Sequence, residues 1–125
     1  MNNVTNLKHL EPRERKALID LIACLQQRFS HTICHMLLFG SKVRSNSDDE
    51  SDIDLLIVVD EYSWALETEI TRLTTRIDCA HKVVLSDHVI SNERFMQMDA
   101  RREPLYRSLE AEGIDLRTSE PQSII

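Results

Sequence analysis

The sequence predicts an α/β (α+β) fold: a small mixed sheet of three to four strands backed by helices. Three observations predict it. Two segments carry apolar residues at helical spacing, two others are apolar runs of strand length, and the strand-like runs lie between the helical ones.

Residues 11–29 come first. Leu18, Leu21, Ile22, Leu25 and Phe29 form one apolar stripe, and Pro12 suits a first helical turn, where its missing N–H costs nothing. Residues 32–39 are a short apolar run ended by Gly40, which predicts a buried strand. Residues 41–51 are a polar connection. Residues 52–59 are a second strand, acidic at its start and continuously apolar at its far end, as in a sheet covered on at least one face. Leu66, Ile70, Leu73 and Ile77 predict a second amphipathic helix over 63–77. Residues 81–85 read as a third, weaker strand, and 91–98 as a short helix. Pro104 and Gly113 bracket a helix over 103–112, with proline in the first turn and glycine past the end. Ile114 to Leu116 close as an edge strand. The expected core covers about 11–116 of a single domain, with loose ends at 1–10 and 117–125.

Composition narrows the function classes. With 125 residues, 42% of them apolar and 29% charged, the chain suits one globular domain rather than a disordered segment. No apolar run approaches the roughly 20 residues of a membrane-spanning helix. The N-terminal stretch lacks the apolar centre of a secretory signal, so a cytoplasmic location is expected. The net charge of −6 repels phosphate backbones and disfavours general nucleic-acid binding. Cys24, Cys34 and Cys79 form no C-x-x-C pair and read as reduced thiols in or near the core.

The chain has only two glycines. Gly113 is accounted for by the helix end. Gly40 opens the run Gly40, Ser41, Lys42, Val43, Arg44 straight after an apolar strand. Glycine there permits a sharp turn and a close approach of ligand to backbone. The following amides, the Ser41 hydroxyl and the charges of Lys42 and Arg44 suit a polyphosphate. Ten residues after Ser41 stand Asp52, Ile53 and Asp54. On a strand the two aspartates share one side, about 7 Å apart, while Ile53 and Leu55 enter the core. Paired carboxylates at the mouth of a strand repel unless a cation lies between them. Mg2+, which takes one or two carboxylates and completes its shell with water and phosphate oxygens, is the natural one. Each half alone reads as an ordinary turn or a charged strand end. Together they equip one rim for nucleotidyl transfer.

The string G-S-x10-D-x-D, standing here as Gly40, Ser41, Asp52 and Asp54, resembles the signature of the polymerase-beta-like nucleotidyltransferase superfamily. The spacing and the short chain are similar to the minimal nucleotidyltransferases, many of which are antitoxins paired with a helical HEPN-domain toxin. The resemblance implies a nucleotidyltransferase fold, with Gly40, Ser41, Lys42 and Arg44 at a nucleoside triphosphate and Asp52 and Asp54 as metal ligands and catalytic carboxylates. The family's G-S-R-A-R-G is altered to Lys42, Val43 and Ser45, with Arg44 kept. The family also places a third carboxylate on the next strand. The run 80–85 contains none; His81 stands near the expected place, and Asp78 or Asp87 on either side substitutes only in another register.

Other chemistry-bearing residues read as structural. His31 and His35 lie four apart, but on a strand that spacing is too long for easy shared ligation. Cys34 packs in the core. Arg76 and His81 show the R-x4-H spacing of HEPN ribonucleases, but outside a helical bundle. Tyr62 and Trp64 are expected to cover the sheet edge, and Tyr106 to pack with Leu105 and Leu109.

The leading expectation is transfer of AMP from ATP to a hydroxyl on a partner protein, as the antitoxin resemblance implies, in a homo- or hetero-oligomer. The alternative is a binding module that has lost catalysis with the third acid and neutralises or scaffolds a partner by contact. A third is a subunit that works only when joined to a separate helical substrate-binding protein.

Overall fold

The computed structural model describes residues 10–40 and 52–117. Helix α1 spans Pro12–Phe29, with proline in its first turn. The carboxylate of Glu14 turns back to accept the Glu11 N–H at 2.8 Å, which satisfies one of the orphan amides of the helix start. Strands β1 (Ile33–Phe39) and β2 (Ile53–Val59) pair antiparallel, with Leu38 opposite Leu55 and Phe39 opposite Asp54. The register shifts between Ile33 and His35.

Helix α2 spans Trp64–His81. The Ser63 hydroxyl caps it by accepting the Leu66 N–H at 3.1 Å. Its C-terminus corrects the sequence reading. The helix continues four residues beyond Ile77, and Lys82 turns the chain in the left-handed region at φ +59°. Strand β3 is therefore Leu85–Ser91 rather than 81–85. Val83 and Val84, which drew the strand assignment early, lie in the connection, where the Val84 carbonyl accepts the Ile53 N–H at 2.9 Å. β3 runs parallel to β2, as its helical crossover allows.

Helix α3 (Asn92–Ala100) is capped by the Ser91 hydroxyl, which accepts the Arg94 N–H at 3.0 Å. Helix α4 (Pro104–Glu112) ends at Gly113, whose N–H bonds the Leu109 carbonyl. Strand β4 (Ile114–Asp115) then pairs antiparallel with β1, giving the sheet order β3-β2-β1-β4.

Strand alternation sorts the side chains into two layers. Ile53, Leu55, Ile57 and Val59 meet Leu18, Leu21, Leu25, Ile70 and Leu73 of α1 and α2. Leu56 and Val58 face the other way, with Leu37, Phe39, Ile90, Phe95 and Leu109. β2 is thus buried on both sides from Leu55 onward, and only its first residues reach solvent. Among the described residues, no helix is long and apolar enough to cross a membrane.

Several single-residue expectations need correcting. Trp64 is 76% exposed and Tyr62 is exposed, its hydroxyl donating to Glu67, so neither covers the sheet. Tyr62 lies before the cap and Trp64 falls off the stripe, which starts at Leu66, so the helix holds neither against the sheet. Cys79 is exposed on α2 because it falls off the Ile70–Leu73–Ile77 stripe, whereas Cys24 and Cys34 pack against the two core layers. Tyr106 stacks on Phe95 with ring centroids 5.2 Å apart, and Leu105 is exposed.

Candidate active site

The end of β1 and the starts of β2 and β3 meet at one edge of the sheet. Gly40 lies there at φ +86°, a backbone conformation that a side chain would strain. A Cβ on Gly40 would lie 3.1 Å from Cγ of Asp54 and collide with its Oδ2. Asp54 occupies that space because it pairs with Phe39, the residue just before the glycine. Ile53 is fully buried and pinned by its N–H to Val84, so the strand cannot turn its acidic side inward. Asp54 is half-buried and Asp52, one residue before the strand, is exposed. Ser41, Lys42 and Arg44 lie outside the described residues, so of the expected phosphate-binding run only Gly40 is placed.

The donors at this edge fit magnesium. Two carboxylates of differing exposure leave the remaining positions of an octahedral ion to water and phosphate oxygens. Among the described residues, no group of three or more His, Cys, Asp or Glu side chains is placed to hold an ion by itself.

Negative charge extends along the same edge. Asp78, in the last turn of α2, accepts the Leu85 N–H at 3.0 Å and so joins the helix end to β3. Burial pushes its carboxyl above the usual carboxylate range. The Leu85 N–H opposes that rise, and the charges of Asp87 and Asp52 add to it.

The parallel register decides which residues stand beside Asp54. Asp54 pairs with Ser86, Leu55 with Asp87 and Leu56 with His88. Paired residues share a face, so Asp87, although inside β3, points to the α1–α2 side with Leu55. There its Oδ2 accepts the Thr71 hydroxyl at 3.0 Å. His81 does not stand near the third position either; it ends α2 with its Nε2 3.1 Å from Asp20 Oδ2. On Asp54's face β3 presents Ser86 and His88. The sequence reading missed His88 because its strand stopped three residues short of it. The only signal available was the alternation from Leu85 to Val89.

A cavity of about 350 Å3 opens on this face, lined by Phe39, Leu56, His88, Ile90, Arg94 and Leu105. A wider groove of about 760 Å3 runs along the exposed side of α2 from Trp64 to Cys79 and holds none of the candidate site residues. His31 is exposed in the turn before β1, while the His35 ring packs 5.1 Å from Phe95.

Known proteins are similar to this chain in sequence and in fold. A protein of Methanocaldococcus jannaschii named "Putative protein adenylyltransferase" is 32% identical over 83 residues, covering 66% of this chain and 78% of that protein. The crystal structure of a "putative nucleotidyltransferase" from Sulfolobus solfataricus superposes with a TM-score of 0.51 at 16% identity, covering 80% of this chain and 76% of that one, a likeness of fold. The family described as "Polymerase beta, Nucleotidyltransferase" matches residues 20–108, which take in the Gly40 turn, both strand-edge aspartates and His88. The chain belongs to that polymerase-beta nucleotidyltransferase family.

Proposed function

We propose that the chain transfers AMP from ATP to a hydroxyl on a partner protein, with Asp52 and Asp54 as the ligands of Mg2+. The observation that carries this reading is the fit of Gly40 against the Asp54 carboxylate at an open edge of the sheet. The missing side chain leaves room for the Asp54 carboxylate against the turn, and a cation on that carboxylate makes the approach of a phosphate to the same turn favourable. The similarity to a protein named as an adenylyltransferase of proteins supports both the nucleotide and the acceptor class.

Each group has a part. The Gly40 turn, continued by Ser41, Lys42 and Arg44, holds the triphosphate. Asp52 and Asp54 hold the ion, which when bound neutralises charge on the phosphates and orients the α-phosphorus for in-line attack. The partner is a HEPN-like helical protein, and the pair acts as antitoxin and toxin in the cytoplasm.

The test mixes purified chain and partner with ATP labelled at the α-phosphate or at the γ-phosphate. Label from the α position alone, with one added AMP by mass, supports the reading. Equal labelling by Asp52→Asn and Asp54→Asn variants, or label from the γ position, rules it out. A second reading, neutralisation by contact alone, is favoured by Ser86 and His88 standing on the face where the resemblance leads one to expect a carboxylate. Protection of the partner that survives loss of both aspartates identifies it.

A further inference from the structure

On the nucleotidyl-transfer reading, on which this inference rests, some group must take the proton of the acceptor hydroxyl. We propose that His88 is that catalytic residue: its imidazole accepts the proton, in place of a third carboxylate.

Three observations place it there. First, His88 pairs with Leu56, two residues along β2 from Asp54, and so shares Asp54's face. Asp87, the acid inside β3, is on the opposite face and already engaged by Thr71.

Second, the His88 ring meets the Phe39 ring over β2. Its centroid is 6.0 Å from that of Phe39, although β2 lies between their strands. Phe39 pairs with Asp54, not with Leu56. The two rings therefore meet over the face of β2 that carries Asp54 and Leu56.

Third, the imidazole is available. His88 is exposed, and neither ring nitrogen has a hydrogen-bond or ion-pair partner among the described residues. Asp78, Asp87 and His81 are each held by a structural hydrogen bond instead. The ring also lines the 350 Å3 cavity, whose walls include Leu56, Ile90 and Leu105 and both members of the Arg94–Glu103 pair. The cavity gives an acceptor side chain a way to the imidazole over Leu56.

The step balances without further reagents. The imidazole lone pair takes the hydroxyl proton as the acceptor oxygen bonds to the α-phosphorus of ATP. The bond from that phosphorus to the oxygen bridging to the β-phosphate breaks, and pyrophosphate leaves with the electron pair. The imidazolium then returns its proton to solvent. A positioned base of this kind is worth roughly 10²–10⁴ in rate.

The experiment uses the full chain with Mg2+ and ATP, and N-acetyltyrosinamide and N-acetylserinamide as model acceptors. Pyrophosphate release and the AMP adduct are both measured. His88→Ala is expected to slow transfer by roughly a hundredfold or more, with affinity for Mg·ATP by calorimetry unchanged, and His88→Asp to recover part of the loss. A second readout needs no turnover: the imidazole C–H resonances of His88 are expected to shift when α,β-methylene-ATP and Mg2+ are added. His88→Ala that transfers at the wild-type rate, or His88 resonances that stay put while the analogue binds, overturns this inference and leaves the transfer reading standing. Loss of ATP affinity in step with rate also overturns it, since His88 then serves binding. A wild-type chain that binds no Mg·ATP overturns both.

Discussion

Gly40 and Asp54 occupy adjoining space at the sheet edge, so close that a methyl group on the first would displace the carboxylate of the second. The contact joins two requirements in one place. The turn needs a residue at φ +86°, and the strand beside it needs room for a carboxylate.

Gly40→Ala therefore strains the backbone and pushes Asp54 aside. The expected cost is about 1–3 kcal/mol of stability for the left-handed conformation, with loss of Mg·ATP binding beyond what stability explains. Urea unfolding and calorimetry on the same variant separate the two. A variant that binds ATP normally shows that Asp54 is not held by the glycine.

Asp54→Asn keeps the shape and removes the charge. Transfer is expected to fall by at least about a hundredfold, while the unfolding midpoint stays close to that of the wild type. A fall in both would make Asp54 a structural residue. Asp52→Asn, at a more exposed position, is expected to weaken metal dependence in the same direction.

Much of the fold was readable from the residues alone. The α1 stripe and the continuous apolar runs of β1 and β2 each state a burial requirement that only one element type meets. The spacing from Gly40 to Asp54 did the same for the edge. β3 was not legible. Ser86, Asp87 and His88 make its first half polar, as an edge strand tolerates, while Val83 and Val84 made the preceding connection look more strand-like. The break between α2 and β3 is a left-handed lysine, Lys82, where a glycine would have announced it. The face on which Asp87 and His88 fall follows from that start point, since a one-residue change of register reverses every side chain. Which residues of β3 face the same way as Asp54 is therefore a matter of register, which composition cannot supply.

Asp87 separates the two accounts of that position. Bound to Thr71 on the α2 side, it faces away from Asp54. Asp87→Asn is expected to leave transfer close to wild type, and Thr71→Val to cost up to about 1 kcal/mol through the lost hydrogen bond. Rate assays alongside thermal unfolding check both. A collapse of transfer in Asp87→Asn with folding intact would return the third role to the carboxylate.

Arg94 and Glu103 form a two-pronged pair at 2.8 and 2.9 Å, which ties α3 to the residue before α4. The Arg94 hydrogen bonds hold the Glu103 carboxyl below its usual range. Desolvation opposes them, and the charges of Arg94 and Arg101 assist. A group lowered in the folded state stabilises above its unfolded value and loses that contribution as pH falls through the folded one. Arg94→Ala is expected to speed amide exchange in α4 at neutral pH, and the difference from wild type to shrink in acid. An exchange pattern unaltered at neutral pH would show that the pair does not fasten the helix.

Asp78 has the opposite sign. Burial first, then the charges of Asp87 and Asp52, raise its carboxyl in the folded chain against the pull of the Leu85 N–H. The folded state then takes up the proton more readily than the unfolded one. Ionised Asp78 therefore costs stability at neutral pH, and that cost is relieved as pH falls through the raised value and gone below the unfolded value. Asp78→Asn keeps an oxygen for the Leu85 N–H and removes the charge, so it is expected to stabilise by up to about 0.5 kcal/mol at neutral pH. The advantage should vanish in acid. Asp78→Ala leaves the Leu85 amide without its acceptor and is expected to destabilise by about 1–3 kcal/mol. Urea midpoints of the three proteins at neutral and acidic pH separate the charge from the hydrogen bond. If Asn destabilises as much as Ala at neutral pH, the charge on Asp78 strengthens its hold on β3 more than repulsion weakens it, and the ionised carboxylate is then a net stabiliser of the fold.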